Sequence, residues 1–325
     1  MMKLIDIVVP CYNEEEVLPL FIAETEKVLT AVEGYAFRYI FVDDGSRDGT
    51  LKVLRTLAVR SDRVKYLSFS RNFGKEAALY AGLSHSTGDY VVVMDADLQH
   101  PPALIPQMIA VLEEGHDCCA AKREHRRGDG FLRSAFSRAF FRLSNKMTHT
   151  ELPYGAVDYR MMCRDMVKAI LAVKEEQRFS KGLFSWVGFD TQWIPYEDVD
   201  RPVGQTKWSF KGLVKYALTG ILSFSTAPLE WISVSGFVIS FFAFAYCLWT
   251  VIKTLVLGID VPGYATILCV LLLLGGIIEL SLGIIGLYLS RVYVEVKKRP
   301  MYFVKLTNLK NPQEAHANHE SENTI

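Results

Sequence analysis

The chain has 325 residues, with 36 Lys and Arg against 36 Asp and Glu, and half of it is hydrophobic. Zero formal charge argues against a free nucleic-acid binder, which carries a basic excess, and the hydrophobic half excludes a mainly disordered chain. At about 100–200 residues per domain, the length suits two units.

Short β-branched or aromatic runs at Leu4–Pro10, Tyr39–Asp43, Val64–Phe69 and Tyr90–Asp95 predict strands. Helix-like segments at Glu14–Thr30, Asp48–Val59, Lys75–His85 and Pro102–Glu113 separate them. This alternation predicts an α/β domain with a mostly parallel, Rossmann-like sheet over residues 1–206. Next, Phe210, Leu213, Val214, Ala217, Leu218, Ile221 and Leu222 recur at helical spacing, with Lys211 and Lys215 opposite. Residues 207–227 therefore read as an interfacial amphipathic helix.

Trp231–Ile252 is 22 residues without Asp, Glu, Lys or Arg, and Val261–Ser290 is 30 residues interrupted only by Glu279. Both exceed the ~20 apolar residues needed to cross a bilayer core. They predict two transmembrane helices at about residues 229–252 and 264–289, joined at Gly258, Pro262 and Gly263. Lys and Arg cluster on the outer sides of the pair, while the linker Leu257–Tyr264 carries only Asp260, so both termini are expected in the cytoplasm. Glu279 should face protein or a polar cavity. Met1–Pro10 shows no cleavable signal pattern. The segment 292–325 is expected in the cytoplasm, polar and disordered from about residue 307. The six cysteines form no zinc-type spacing and read as packing residues.

Ligands of a parallel sheet gather at the carboxyl ends of its strands, and here those ends are acidic. Strand one runs into Pro10-Cys11-Tyr12-Asn13-Glu14, strand two into Asp43-Asp44-Gly45-Ser46, and strand four into Asp95-Ala96-Asp97-Leu98-Gln99. Asp48 reads as a helix cap. Asp95 and Asp97 can place carboxylate oxygens around one hard cation, with substrate phosphates completing its shell. No GxGxxG or P-loop pattern follows strand one, which removes the main support for a dehydrogenase or a P-loop enzyme.

These three strand-end motifs resemble the signatures of family 2 inverting glycosyltransferases with the GT-A fold. Asp95–Pro102 and Arg178–Phe189 narrow the resemblance to polyprenyl-phosphate glycosyltransferases, in particular the bactoprenol glucosyltransferases; dolichol-phosphate mannose synthases are more distant. The resemblance implies sugar transfer, with glucose from UDP-glucose expected, to undecaprenyl phosphate at the bacterial inner membrane. It implies that Pro10, Tyr12, Asn13, Glu14, Asp43 and Asp44 hold the nucleoside. Asp95, Asp97 and Gln99 would hold the diphosphate through Mg2+ or Mn2+. Arg201 and Lys207, in a loop similar to one that closes over the donor, are diphosphate contacts; Lys207 serves equally as a membrane-surface charge. Asp97 and Asp158 are the catalytic candidates.

The acceptor side is basic. Eight Lys and Arg against two acids lie between Lys122 and Lys146. Arg138, Arg142 and Lys146 read as a solvated helix face. By resemblance to the mannose synthases, Arg123 and Arg133 are assigned to the lipid phosphate, which a planar guanidinium grips through two oxygens. Asp158 matches a proposed catalytic base in the glucosyltransferases. A phosphate monoester with its second pKa near ~6 is already mostly dianionic at neutral pH, so Asp158 is expected chiefly to orient the acceptor. The expected partners are a nucleotide sugar, a polyprenyl phosphate and the membrane, with a second copy of the chain and a separate flippase also compatible. A donor carrying a modified pentose or GDP-mannose keeps the same mechanism. A processive synthase fits less well, since Gln177-Arg178-Phe179 lacks that group's Gln-x-x-Arg-Trp pattern. A non-catalytic scaffold needs no acidic strand ends.

Overall fold

The computed structural model describes residues 2–123, 155–176, 178–197, 227–257 and 263–309. Arg133, Arg201, Lys207, the amphipathic segment and the hairpin tip lie outside the described residues.

The chain begins with β1 (Lys3–Cys11), α1 (Leu18–Leu29), β2 (Tyr35–Asp43), α2 (Thr50–Arg60), β3 (Val64–Phe69), α3 (Lys75–Ser84) and β4 (Tyr90–Val93). A 3-10 turn (Pro102–Leu104) leads into α4 (Ile105–Glu113) and β5 (Cys118–Arg123). Then come β6 (Ala156–Cys163), α5 (Arg164–Ala172), α6 (Ser180–Trp186) and β7 (Thr191–Tyr196). Two long helices, α7 (Ala227–Leu257) and α8 (Tyr264–Lys297), precede a last strand, β8 (Val304–Thr307).

All eight described strands form one sheet, ordered β7-β5-β6-β4-β1-β2-β3-β8. The β1–β2, β2–β3 and β1–β4 pairs are parallel, as the alternation predicts. β1 lies at the centre, and Ile5, Ile7, Val8 and Val9 are wholly buried. A near-continuous apolar run is what a parallel strand covered on both faces requires. On one face α1, α2 and α4 pack through Leu18, Phe21, Leu54, Ile105 and Met108. On the other, α3, α5 and α6 pack through Ala78, Leu79, Met166, Ile170 and Phe184. The one fully buried acid in β1, Asp6, is compensated by a two-pronged Arg38 contact at 2.8 Å and by the N–H groups of Thr87 and Gly88.

β6 runs antiparallel between β4 and β5, while β5 and β7 run parallel to each other. This reversal brings the start of β6 to the sheet edge where β1, β2, β4 and β5 end. Asp158 is thereby placed on the same edge as Asp43, Asp95 and Arg123.

α7 and α8 are long and apolar enough to cross a membrane. Their large apolar side chains, Phe237, Phe244 and Leu280 among them, face outward. α8 extends to Lys297, beyond the expected end of its apolar span at about residue 289. Glu279 is exposed on α8 in the single chain. Glu230 of α7 interacts electrostatically with Tyr288 of α8. Beyond α8 the chain returns to the eight-stranded sheet, an arrangement the polar tail did not predict. β8 pairs antiparallel with β3, setting Ser68 opposite Leu306. Tyr302 stacks on Phe69 at 4.9 Å, and Asn308 bonds both the N–H of Tyr66 and the carbonyl of Val64. Residues 307–309 are therefore ordered; from residue 310 the tail lies outside the described residues.

Candidate active site

The site grows from three loops that leave the sheet edge. After β1, Asn13 takes a left-handed backbone with φ 55°. Its N–H donates to Ser46 Oγ at 2.9 Å, and its side-chain oxygen accepts the N–H of Arg47 at 2.9 Å. The N–H of Glu14 donates to Thr50 Oγ1, and the carboxylate of Glu15 accepts the N–H of Gly49. The first and second loops are thus stitched together by polar side chains.

In the second loop, Asp43 and Asp44 turn inward and are only 1% and 4% exposed. Asp43 accepts the N–H of Ser46 and the hydroxyl of Ser68. Asp44 accepts the N–H groups of Phe73 and Gly74 at 2.6 and 2.9 Å. Burial raises the Asp44 pKa above the usual carboxylate range despite those two bonds. Both acids, expected at the nucleoside, have oxygens committed to shaping the loops. Gly45 has φ +64°, and a Cβ there would lie 2.3 Å from the Arg71 backbone, so the loops meet closely at this residue.

The third loop follows β4. The N–H of Asp95 donates to Nδ1 of buried His100, whose ring stacks on Tyr159 at 5.1 Å. Burial lowers the His100 pKa, which matches a neutral ring accepting this bond. Asp97 accepts the N–H of Gln99 at 3.1 Å, closing a tight turn in which Leu98 has φ 58°. Pro10, the last residue but one of β1, pairs with Val42, and Tyr12 follows the strand's final residue, Cys11.

The residue that joins these acids is Lys75, the first residue of α3. Its ammonium lies 2.7 Å from Asp95 Oδ1 and 2.8 Å from Asp158 Oδ2. The antiparallel pairing of Val93 with Arg160, continued by two residues, sets Asp95 opposite Asp158. Burial favours the neutral forms, but the opposed charges prevail. Lys75 and Lys181 hold Asp158 well below the usual carboxylate range, and Asp158 and Asp95 hold Lys75 above the usual ammonium range. All three groups are ionised at neutral pH. Arg160 lies wholly buried under Asp158, donates to the carbonyls of Val157 and Asp158, and stacks over Phe184. Glu76 accepts the hydroxyl and the N–H of Ser180, which fixes the start of α6 and brings Lys181 toward Asp158.

The structure therefore gathers Asp95 and Asp158 around one cation, with Asp97 and Gln99 in the adjoining turn. Arg123 ends β5 on the same edge, paired with Tyr196. Sequence reasoning passed over Lys75, Lys181, Glu76 and His100. The available signal for Lys75 was Gly74-Lys75-Glu76, a left-handed glycine opening a helix just beyond β3 on the acidic edge.

Among the described residues, no three acid, His or Cys side chains form a ready cation cage. Asp95 and Asp97 supply hard oxygen donors, and the ammonium of Lys75 shows that a cation is held at the first of them. That donor set fits a divalent ion which keeps several ligands from water or phosphate.

The glycosyl transferase family 2 model matches residues 6–171, which contain Asp43, Asp44, Lys75, Asp95, Asp97, Arg123 and Asp158. A putative glycosyltransferase of Bacillus subtilis, CsbB, is 45% identical over 95% of this chain and 93% of its own length. A prophage bactoprenol glucosyl transferase homolog of Escherichia coli is 40% identical over 93% of this chain and 98% of its own. A bactoprenol glucosyl transferase of Shigella flexneri, derived from prophage SfII, is 40% identical over 95% and 99%. These similarities run through the two long helices as well as the sheet, and the chain is a family 2 glycosyltransferase.

Proposed function

We propose that this enzyme transfers a sugar from a nucleotide donor to a polyprenyl phosphate at the cytoplasmic face of the membrane, inverting the anomeric centre. The observation that carries the reading is the meeting of Asp95, Lys75 and Asp158 on a sheet edge whose chain continues into two helices of bilayer length. The names of the Escherichia coli and Shigella relatives support a bactoprenol acceptor and a glucosyl donor. UDP-glucose is the donor we assign first.

In this reading the donor lies over the first and second loops, near Pro10, Tyr12, Asn13 and Glu14. Asp43 and Asp44 support that surface from beneath through their bonds to Ser46, Phe73 and Gly74. Asp95 and Asp97, with Gln99, would hold Mg2+ or Mn2+, which supplies charge neutralisation on the departing diphosphate. Arg201 and Lys207 are assigned to that diphosphate, and Arg123 and Arg133 to the acceptor phosphate. One phosphate oxygen attacks the anomeric carbon as the diphosphate leaves from the opposite side, so the configuration inverts.

Asp158 is assigned an orienting role. Its carboxylate is held ionised by Lys75 and Lys181, and an acid with so low a pKa accepts a proton weakly. The attacking phosphate, dianionic above its second pKa of about 6, needs no base. Purified enzyme in lipid nanodiscs, given undecaprenyl phosphate, Mg2+ and a panel of nucleotide sugars, tests the reading. A lipid-linked sugar from UDP-glucose is expected; no product from any donor, with folding intact, rejects it.

A further inference from the structure

We infer that Lys75 is the resident counter-cation of the acidic edge, and that a divalent ion entering at Asp95 must displace its ammonium from that carboxylate while Asp158 retains it. The inference rests on the donor-site reading above and concerns how the metal is admitted.

The geometry is specific. Lys75 Nζ approaches both oxygens of Asp95, at 2.7 and 2.9 Å, and one oxygen of Asp158, at 2.8 Å. A divalent ion bound to an Asp95 oxygen would meet a full positive charge within a few ångströms, in surroundings more weakly screened than water. Both cations therefore cannot share Asp95 in this arrangement. The backbone of Lys75 is held from both sides, so only its side chain is free to yield. On one side Asp44 binds the N–H groups of Phe73 and Gly74; on the other Glu76 binds Ser180. Asp158 remains within reach as the ammonium leaves Asp95, and the 2.8 Å contact gives it a place to stay.

The consequence is an order of binding. Without donor, Lys75 already neutralises Asp95, and a metal gains little by entering. A donor diphosphate adds negative charge at the same edge, which offsets the repulsion between ammonium and metal. Metal and nucleotide then bind together, and Asp95 is not occupied by stray divalent ions between turnovers.

The experiment measures Mn2+ binding to the full-length enzyme, stripped of metal in detergent, by the loss of the free-ion electron paramagnetic resonance signal. Lys75→Gln and Lys75→Met remove the charge with two different shapes, which guards against a folding failure in one of them. Each is expected to bind Mn2+ without nucleotide about tenfold more tightly than the wild type, and to gain less from added UDP. Lys75→Arg keeps the charge and is expected to stay within about twofold of the wild type. A merely structural lysine predicts weaker binding, not tighter. Unchanged or weaker Mn2+ affinity in the neutral variants, or equal tightening in Lys75→Arg, overturns the inference while leaving the donor site standing. A wild type that binds no Mn2+ with or without UDP or GDP removes the donor-site reading and this inference with it.

Discussion

The carboxylate of Glu295, near the end of α8, accepts the backbone N–H of Glu176 at 2.9 Å. This bond ties a membrane-length helix to the segment that leads into α6, whose first residue is bound by Glu76 beside Lys75. Arg291 and Glu175 interact electrostatically alongside it. The membrane-length helix and the candidate active-site edge are therefore joined through a short chain of polar contacts.

Glu295→Ala removes the acceptor and is expected to speed hydrogen exchange at the Glu176 amide by about tenfold, the size of one charge-assisted hydrogen bond. Glu295→Gln keeps an acceptor oxygen and should exchange nearly as the wild type does. Equal exchange in Glu295→Ala and wild type would show that the contact does not restrain this segment.

Tyr302 secures the second link. Its ring stacks on Phe69 and lies 6.4 Å from Tyr80 of α3, while the carbonyl of Phe303 accepts the N–H of Ser70. Tyr302→Ala leaves a gap against β3 and is expected to cost roughly 2–3 kcal/mol, read by thermal or denaturant unfolding in detergent. Tyr302→Phe keeps the stacked ring and should cost less than about 1 kcal/mol. Ending the chain at Arg299 uncovers the β3 edge and should promote aggregation, seen as loss of the monodisperse peak in size exclusion.

Much of this arrangement is legible in the residues themselves, and what is not has physical reasons. The β1–β4 strands and the acidic ends at Asp95 and Asp97 stand out because buried parallel strands are apolar and their ends are not. Lys75 does not stand out, since a lysine in the first turn of a helix is ordinarily a solvated charge. Its role depends on β6 inserting antiparallel beside β4, a long-range pairing that no local pattern announces. Asp43 and Asp44 show a second role that their position at a strand end does not announce. Besides the ligand contact expected of them, they accept N–H groups from Ser46, close by in sequence, and from Phe73 and Gly74, brought in from just ahead of α3 by the fold. β8 was hidden because it is a run of only four exposed residues just ahead of a polar tail, and only the edge of β3 gives them a partner.

The Asp6–Arg38 pair offers a test of how the sheet tolerates a charge at its centre. Asp6 is wholly buried and accepts four hydrogen bonds, two from Arg38 and two from the N–H groups of Thr87 and Gly88. Asp6→Ala strands these donors and is expected to cost about 3–5 kcal/mol. Arg38→Met removes one partner but leaves both backbone donors, so its cost should be smaller. The double variant should be less destabilised than the sum of the two, with a coupling of about 1–3 kcal/mol in denaturant unfolding. Additive costs would mean that the two side chains do not act as a pair.

Asp158→Asn separates orientation from proton transfer. The amide keeps the shape and an oxygen near Lys75 but cannot take a proton. If Asp158 positions the acceptor through Lys75, the variant loses about tenfold in kcat/KM and its rate stays flat from about pH 7 to 9, because the phosphate nucleophile remains dianionic throughout. If Asp158 removes a proton, the loss at neutral pH should reach about 10²–10⁴-fold, and the remaining rate should climb with pH. Asp95→Asn is the comparison. It removes charge from the proposed metal-binding edge, so it should lose activity at every pH, and raising the Mn2+ concentration should restore part of it. Rescue by Mn2+ in Asp95→Asn but not in Asp158→Asn would separate the two carboxylates that one lysine now joins.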